Sequence, residues 1–176
     1  MHNKKIALKI ISKLIHANER RSEVYRRCYN RAPSTDLKII FNKYYSSSIT
    51  NINALTSEVL SLGYKAPLEE TANEMIFKVL LELRDSISGN AAKWLMNDCV
   101  DAEARALYAY YKAMESKELL HHFSIVEKLS VQMEEISEAK ESLINIKTNL
   151  AAGRLKIYSE RSHFSDKLKK IDYGNK

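Results

Sequence analysis

The stretch that decides the fold is residues 35–63, which reads TDLKIIFNKYYSSSITNINALTSEVLSLG. Its apolar and small side chains recur at alternating spacings of three and four residues, which places them on one face of an α-helix. The predicted inward stripe consists of Phe41, Tyr45, Ser48, Ile52, Leu55, Val59 and Leu62. Ser34 or Thr35 is a suitable N-cap, and Gly63 is a typical residue just beyond a helix end. The stretch therefore predicts a long amphipathic helix over about 35–62.

The same stripe returns 84 residues later in the chain, inside a predicted helix of about 117–150 that Ser116 would cap. Its members are Ile125, Leu129, Gln132, Ile136, Ala139, Leu143 and Ile146. A first helix, from about Lys4 to Asn30, is repeated in the same way by a helix of about 91–115. A shift of 85 pairs Asn18 with Glu103, whereas a shift of 84 pairs Glu19 with Glu103, and the sequence leaves both open. Two similar helix pairs indicate a repeated helical hairpin.

The two predicted hairpins are separated by residues 64–90, which contain a further predicted helix of about 68–87. A helix of this length spans about 30 Å, which is enough to carry the chain from one end of a bundle to the other. Two hairpins joined by such a crossover form the ferritin-like arrangement, although a plain array of helices is an alternative. We therefore predict an all-α, ferritin-like four-helix bundle over 1–150, followed by a basic extension over 151–176 that is either helical or disordered.

Composition excludes several classes of protein. The chain of 176 residues is 45% hydrophobic and 28% charged, with 4 Gly and 2 Pro, so it is not low-complexity, disordered or a turn-rich β-sandwich. Its 2 cysteines are too few for a disulfide scaffold. No uncharged apolar run approaches the length of a membrane span, and Lys4, Lys5, Lys9 and Lys13 interrupt the first apolar stretch. We expect a cytoplasmic protein without a transmembrane segment.

The net charge of +6 is unevenly distributed along the chain. Residues 1–31 carry +7, residues 151–176 carry +4, and the part between them carries −5. Basic ends of this kind occur in proteins that bind nucleic acid or an anionic surface. The interpretation we favour is that the basic face of the first helix pairs with acidic side chains of a neighbouring helix.

A family resemblance rests on residues 99–110, which read CVDAEARALYAY. This stretch resembles the C-x-x-x-E-x-x-A-L-x-x-Y helix of a bacterial ferritin-like four-helix-bundle family of unknown function. Tyr25 in the first helix, Gly63 after the second and Gly89 at the end of the crossover agree with the same pattern. The resemblance covers about 6–148. It implies a ferritin-like fold and a loose association with stress responses, but no established activity.

The di-iron members of the ferritin-like superfamily bind metal at mid-bundle, through one Glu on the first helix and a Glu-x-x-His on the second helix of each hairpin. The first-helix positions here are Glu19 or Asn18, and Glu103. The second-helix positions are predicted near Asn53 and Thr56, and near Ser137 and Lys140, and neither pair is Glu-x-x-His. We therefore expect no metal and no cofactor. If a metal binds, the expected ion is iron or manganese, and the expected ligands are Glu103, Glu19 and Glu135.

Four polar residues fall on the predicted core stripes and form a mid-bundle layer: Asn18, Ser48, Glu103 and Gln132. We interpret this layer as a hydrogen-bonded structural feature that fixes the register of the helices. Packing is the expected role of Cys28 and Cys99, with a reactive thiol at Cys28 as an alternative. The chain has no Gly-rich phosphate loop and no nucleophile elbow, so we predict no catalytic residue.

Together these features predict a non-catalytic ferritin-like bundle that acts as an interaction or stress-associated protein, either as a homo-oligomer or with a protein partner. One alternative is a metal-binding oxidase or storage protein with a degenerate site around Glu103. The other is a protein that binds an anionic partner, such as nucleic acid or an anionic surface, through the basic first helix and tail.

Overall fold

The structure, a computed structural model, describes residues 2–65 and 91–152. These residues form four long helices: α1 (His2–Arg31), α2 (Thr35–Ser61), α3 (Ala91–Met114) and α4 (Phe123–Ala151). A short 3-10 turn, Leu119–His121, precedes α4. The described part of the chain contains no strand, which confirms the predicted all-α fold. None of its helices combines the length and the apolar character that crossing a membrane requires.

The four helices form a bundle in which α1 packs against α2 and α3, and α3 packs against α4. Two groups of apolar side chains fill its two ends. One contains the start of α1 and the ends of α2 and α3, and the other contains the start of α3, around Leu95, with the end of α1 and the start of α2. The end of α2 lies at one end of the bundle and the start of α3 at the other. This agrees with the predicted arrangement of two hairpins.

Some predictions fall on parts of the chain that the structure does not describe. The crossover helix of about 68–87 and most of the 151–176 extension lie outside the described residues. The division of the chain at residue 150 stays a prediction.

Local signals fix both ends of α2. Ser34 is its N-cap, and the Ser34 hydroxyl accepts a hydrogen bond from the backbone N–H of Leu37 at 3.4 Å. Beyond the other end, Gly63 has a φ of +85°, a conformation that L side chains rarely adopt. A glycine at this position allows the chain to turn out of the helix.

The predicted start of α4 was wrong. The helix begins at Phe123 rather than near residue 117, and Ser116 is not its cap. The hydroxyl of Ser116 donates instead to the carboxylate of Glu118 at 2.6 Å. Leu119, in the 3-10 turn, is buried in the core at 1% exposure, and α4 begins only after this turn.

The core stripe of α2 also differs from the predicted one. Tyr44, Asn51 and Glu58 are buried, whereas Tyr45 and Ile52 are only partly buried. Spacings of three and four residues both keep a side chain near one face of a helix, so periodicity alone does not distinguish neighbouring choices. Contacts with α1 decide the rotation, for example through the tilted ring contact of Tyr25 with Tyr44, whose centroids are 5.5 Å apart.

Candidate functional site

An ion pair between Arg21 on α1 and Glu103 on α3 lies at the centre of the bundle. Both side chains are almost completely buried, at 1% and 0% exposure. One terminal nitrogen of Arg21 donates to Oε1 of Glu103 at 3.0 Å, and Nε lies 2.9 Å from Oε2. The second contact is ionic only, because neither Nε nor Oε2 makes a hydrogen bond of normal geometry. A guanidinium and a carboxylate therefore neutralise each other where two helices from different hairpins meet.

A chain of hydrogen bonds extends from this pair across the bundle. Arg21 donates to Oδ1 of Asn18 at 2.7 Å, and Asn18 donates through Nδ2 to the hydroxyl of Tyr110 at 2.8 Å. That hydroxyl donates in turn to Oε1 of Gln132 on α4, at 2.7 Å. On the other side, the Tyr25 hydroxyl donates to Oε1 of Glu103. The central network thus comprises six residues on α1, α3 and α4: Asn18, Arg21, Tyr25, Glu103, Tyr110 and Gln132.

Burial dominates the proton equilibria of the central network. It raises the pKa of Glu103 above its ordinary value, although the Arg21 charge and the hydrogen bonds from Arg21 and Tyr25 oppose the shift. Burial also raises the pKa of Tyr110 to about 12 and that of Tyr25 further, where the Glu103 charge acts in the same direction. At neutral pH both tyrosines are therefore protonated hydrogen-bond donors rather than bases.

The structure brings together three of the four residues of the predicted polar layer, since Asn18, Glu103 and Gln132 belong to the central network. The fourth, Ser48, is fully buried, but its hydroxyl donates to the backbone carbonyl of Tyr44 at 2.8 Å. The Ser48 hydroxyl therefore bonds within α2 and not across the bundle, as serines in helix interiors commonly do.

The two further candidate metal ligands lie away from Glu103. Glu19 is partly exposed and contacts Nδ1 of His16 at 2.7 Å, and Glu135 is exposed. Asn18, not Glu19, faces the core, which selects the 85-residue shift between α1 and α3. The same shift pairs Tyr25 with Tyr110, and both are fully buried.

Sequence reasoning missed Arg21, the one network cation. Its position carries a signal, because Arg21 lies three residues after Asn18, which was placed on a core stripe, and four residues before Tyr25, which is also buried. A charged residue is nevertheless assigned to the surface by default, since arginines are rarely buried without a partner. The partner here is 82 residues away in the chain.

The residues at mid-bundle do not fit a di-metal centre. Among the described residues, no three His, Cys, Asp or Glu side chains lie close enough together to hold an ion. Glu103 is the one carboxylate in the central network, and the groups around it are a guanidinium, two phenols and two amides. A pair of hard cations needs several carboxylates, and a fixed guanidinium opposes any cation placed beside it.

None of the four predicted second-helix ligand positions is fully buried, since Asn53 is exposed and the other three are partly buried: Thr56, Ser137 and Lys140. Glu-x-x-His does occur in the chain, although away from those positions, at 118–121 and 160–163. The first tetrad lies at one end of the bundle, where Glu118 is bound by Ser116, and the second lies outside the described residues.

A shallow groove of about 370 Å³ runs between α1 and α3. Four of its twelve lining residues are alanines, and basic side chains outnumber acidic ones among the rest. We refer to it as the α1–α3 groove, and it is lined by Lys13, His16, Ala17, Arg20, Val24, Arg27, Asp98, Asp101, Ala102, Arg105, Ala106 and Ala109.

Comparison with known proteins agrees with this fold. The family model described as Domain of unknown function (DUF2383) matches residues 7–116. No curated protein matches the chain in sequence. Among solved structures, a ferritin-like, diiron-carboxylate protein from Bacillus anthracis superimposes with a TM-score of 0.65 at 12% identity, covering 84% of this chain and 99% of that one. The bacterioferritin of Desulfovibrio desulfuricans, whose diiron site was studied in different catalytic states, gives 0.64 at 11% identity, covering 86% and 83%.

These likenesses confirm the ferritin-like fold and the resemblance to a ferritin-like family of unknown function. At 11% and 12% identity they show the fold alone. The diiron chemistry named for the two solved proteins remains a property of those proteins.

Proposed function

The chain belongs to the DUF2383 family, a domain of unknown function, and from that premise we propose that it is a non-catalytic ferritin-like bundle acting as an interaction protein with a stress-associated role. The observation that supports a non-catalytic role is the buried ion pair of Arg21 and Glu103. The stress association rests on the family resemblance.

The argument from the ion pair is electrostatic. Arginine stays protonated at any physiological pH, so Arg21 places a permanent positive charge against the one carboxylate of the network. Two unit charges 4 Å apart repel by about 4 kcal/mol at the effective dielectric constant typical of proteins, and a divalent ion would roughly double this. In this proposal the guanidinium takes the part that metal ions play in di-iron bundles, by holding the helices of the two hairpins together.

Metal content tests the non-catalytic role. The protein is expressed with iron and manganese supplied, purified without chelator or nickel affinity, and analysed by mass spectrometry beside Glu103→Gln. The matched control is Glu134→Gln, which removes an exposed carboxylate from α4. We expect metal far below one ion per chain in all three proteins. Near-stoichiometric metal in the wild type and the control, lost in a folded Glu103→Gln protein, would support the oxidase or storage alternative instead.

The interaction role is supported by two large aromatic side chains that α3 presents to solvent. Tyr108 and Tyr111 are 65% and 56% exposed, one turn apart on the same side of the helix. Aromatic side chains of this kind are enriched at protein interfaces. We propose that they contact a second copy of the chain or a protein partner.

Light scattering on the purified protein tests self-association through this surface. We expect an oligomer whose mass falls in Tyr108→Ser/Tyr111→Ser and is unchanged in Phe123→Ser, which removes an aromatic side chain that is 78% exposed at the start of α4. If both variants keep the wild-type mass, Tyr108 and Tyr111 do not form the interface.

The α1–α3 groove favours a second candidate function, binding of an anionic partner. Arg20 and Arg105 approach it from different helices and are exposed. Guanidinium groups on two facing helices form a surface complementary to phosphate or carboxylate groups. The basic tail proposed to take part lies outside the described residues.

Short duplex DNA and vesicles containing phosphatidylserine are the two probes for this second function. Binding should weaken steeply with added salt, and should be reduced in Arg20→Glu/Arg105→Glu. The control, Lys93→Glu/Lys117→Glu, makes the same change in charge at exposed positions outside the groove. Its affinity for either probe should be close to that of the wild type, with only the small loss that the change in net charge causes. Equal losses in both double variants would contradict a role for the groove.

A further inference from the structure

The two cysteines of the chain lie next to each other in the core. Their Sγ atoms are 3.5 Å apart, with Cys99 donating to Cys28, although 71 residues separate them in sequence. Both side chains are buried, at 2% exposure for Cys28 and 0% for Cys99, and both are free thiols. The sequence predicted packing for each residue separately and did not predict the pair.

We propose that Cys28 and Cys99 form a modification site, at which a hydroperoxide oxidises the two thiols to a reversible intramolecular disulfide. A disulfide requires an S–S bond of about 2.05 Å, so the sulfur atoms must approach by about 1.5 Å. Cys28 lies on α1 and Cys99 on α3, and in this proposal rotation about the side-chain bonds of both residues brings the sulfur atoms together.

The chemistry needs one hydroperoxide for each disulfide. In the first step the sulfur of one thiol attacks hydrogen peroxide, and the O–O bond breaks. The sulfur keeps one oxygen atom as a sulfenic acid, and the other oxygen leaves as water. The second thiol then attacks that sulfur, the S–S bond forms and a second water leaves. Two thiols are thus oxidised by two electrons and the peroxide is reduced by two.

The position of the pair gives the disulfide a structural consequence. Cys28 lies near the end of α1, in the first hairpin, and Cys99 near the start of α3, in the second. Cys99 is one helical turn from Glu103, and Cys28 is three residues after Tyr25. The bond would join the two hairpins covalently, one turn from the central network, and would oppose any motion that separates α1 from α3.

Burial sets the rate of this reaction. It raises the pKa of Cys99 well above that of an ordinary thiol, so the reactive thiolate is scarce in the closed bundle. Oxidation is therefore expected to be slower than for an exposed thiol and to follow the local opening of the α1–α3 contact. A site of this kind responds to sustained oxidant rather than to a brief pulse.

The test uses the full-length reduced protein, treated with hydrogen peroxide under native conditions and followed by intact mass and by thiol titration in denaturant. We expect a loss of about 2 Da, disappearance of both titratable thiols, and recovery of both on reduction. The peptides containing Cys28 and Cys99 should be linked in a non-reduced digest. Because the bond closes a long loop, the melting temperature should rise by about 10 °C.

Cys28→Ser and Cys99→Ser are the control variants. Each should gain one or more oxygen atoms at the remaining thiol, with no loss of 2 Da. The proposal is overturned if the native wild type keeps both thiols under exposure that oxidises the denatured protein. It is equally overturned if the wild type gains oxygen without a disulfide, or if the product is a disulfide between two chains. These readouts on the wild type do not depend on whether the variants fold.

Discussion

Mutations that remove one partner of the Arg21–Glu103 ion pair test whether the pair is shielded from water in the folded protein. Glu103→Gln keeps the shape of the side chain and an acceptor for Tyr25, but leaves a guanidinium at 1% exposure without a counterion. Breaking a buried pair in this way costs about 3–5 kcal/mol of the free energy of unfolding. With a urea dependence of about 2 kcal/mol per molar, the unfolding midpoint should fall by about 2 M.

The complementary variant Arg21→Met should lose a similar amount at neutral pH, and its loss should depend on pH. Removing Arg21 removes the largest influence that lowers the pKa of Glu103, so burial then raises that pKa further above its ordinary value of 4.5. A carboxyl with a raised pKa in the folded state stabilises the protein below its unfolded pKa, and this contribution is lost as pH rises through the folded value. Relative to wild type, Arg21→Met should therefore lose more stability as pH rises above about 4.5.

The double variant Arg21→Met/Glu103→Gln completes the cycle. Because neither charge remains to be desolvated, its cost should be smaller than the sum of the two single costs, with a coupling energy of about 3 kcal/mol. The assay is urea unfolding at pH 7, followed by far-ultraviolet circular dichroism. The reasoning is refuted if the single costs add to within about 0.5 kcal/mol, or if Glu103→Gln is as stable as the wild type.

Two further predictions concern the tyrosines and the end of α2. The pKa of Tyr110 is about 12 in the folded protein and 10 in an unfolded chain, so its contribution to stability is complete below pH 10 and is lost as pH rises towards 12. In a tyrosinate absorbance titration, Tyr110 should ionise together with unfolding. Ionisation of all ten tyrosines before the protein unfolds would contradict the burial of Tyr110. Gly63→Ala should lower the free energy of unfolding in urea by about 1 kcal/mol, because a φ of +85° is strained for alanine although the space around an added Cβ is open. An unchanged unfolding midpoint would show that the turn adjusts freely.

The pair of cysteines and the central ion pair share a physical property, in that each joins α1 to α3. These helices belong to different hairpins, so each contact holds the two halves of the bundle together. The oxidation proposed at Cys28 and Cys99 and the double-mutant cycle at Arg21 and Glu103 therefore test the same junction by independent means.

The sequence by itself determined most of the architecture. Helix periodicity, the Ser34 cap and Gly63 placed α2 correctly, because these signals act within a few residues of the chain. The spacing between the two hairpins predicted the crossover, since a link between opposite ends must span the bundle. Asn18, Glu103 and Gln132 were placed in the core because they interrupt otherwise apolar stripes.

Only the tertiary structure decided what fills the centre. Periodicity locates the inward face of a helix to within about one residue, and the rotation that buries Tyr44 rather than Tyr45 depends on packing against α1. Arg21 is buried because Glu103 neutralises it from another helix, and Cys28 and Cys99 meet across the same contact. The last two features join residues that are 82 and 71 positions apart in the sequence, and their proximity is set by the way the hairpins pack.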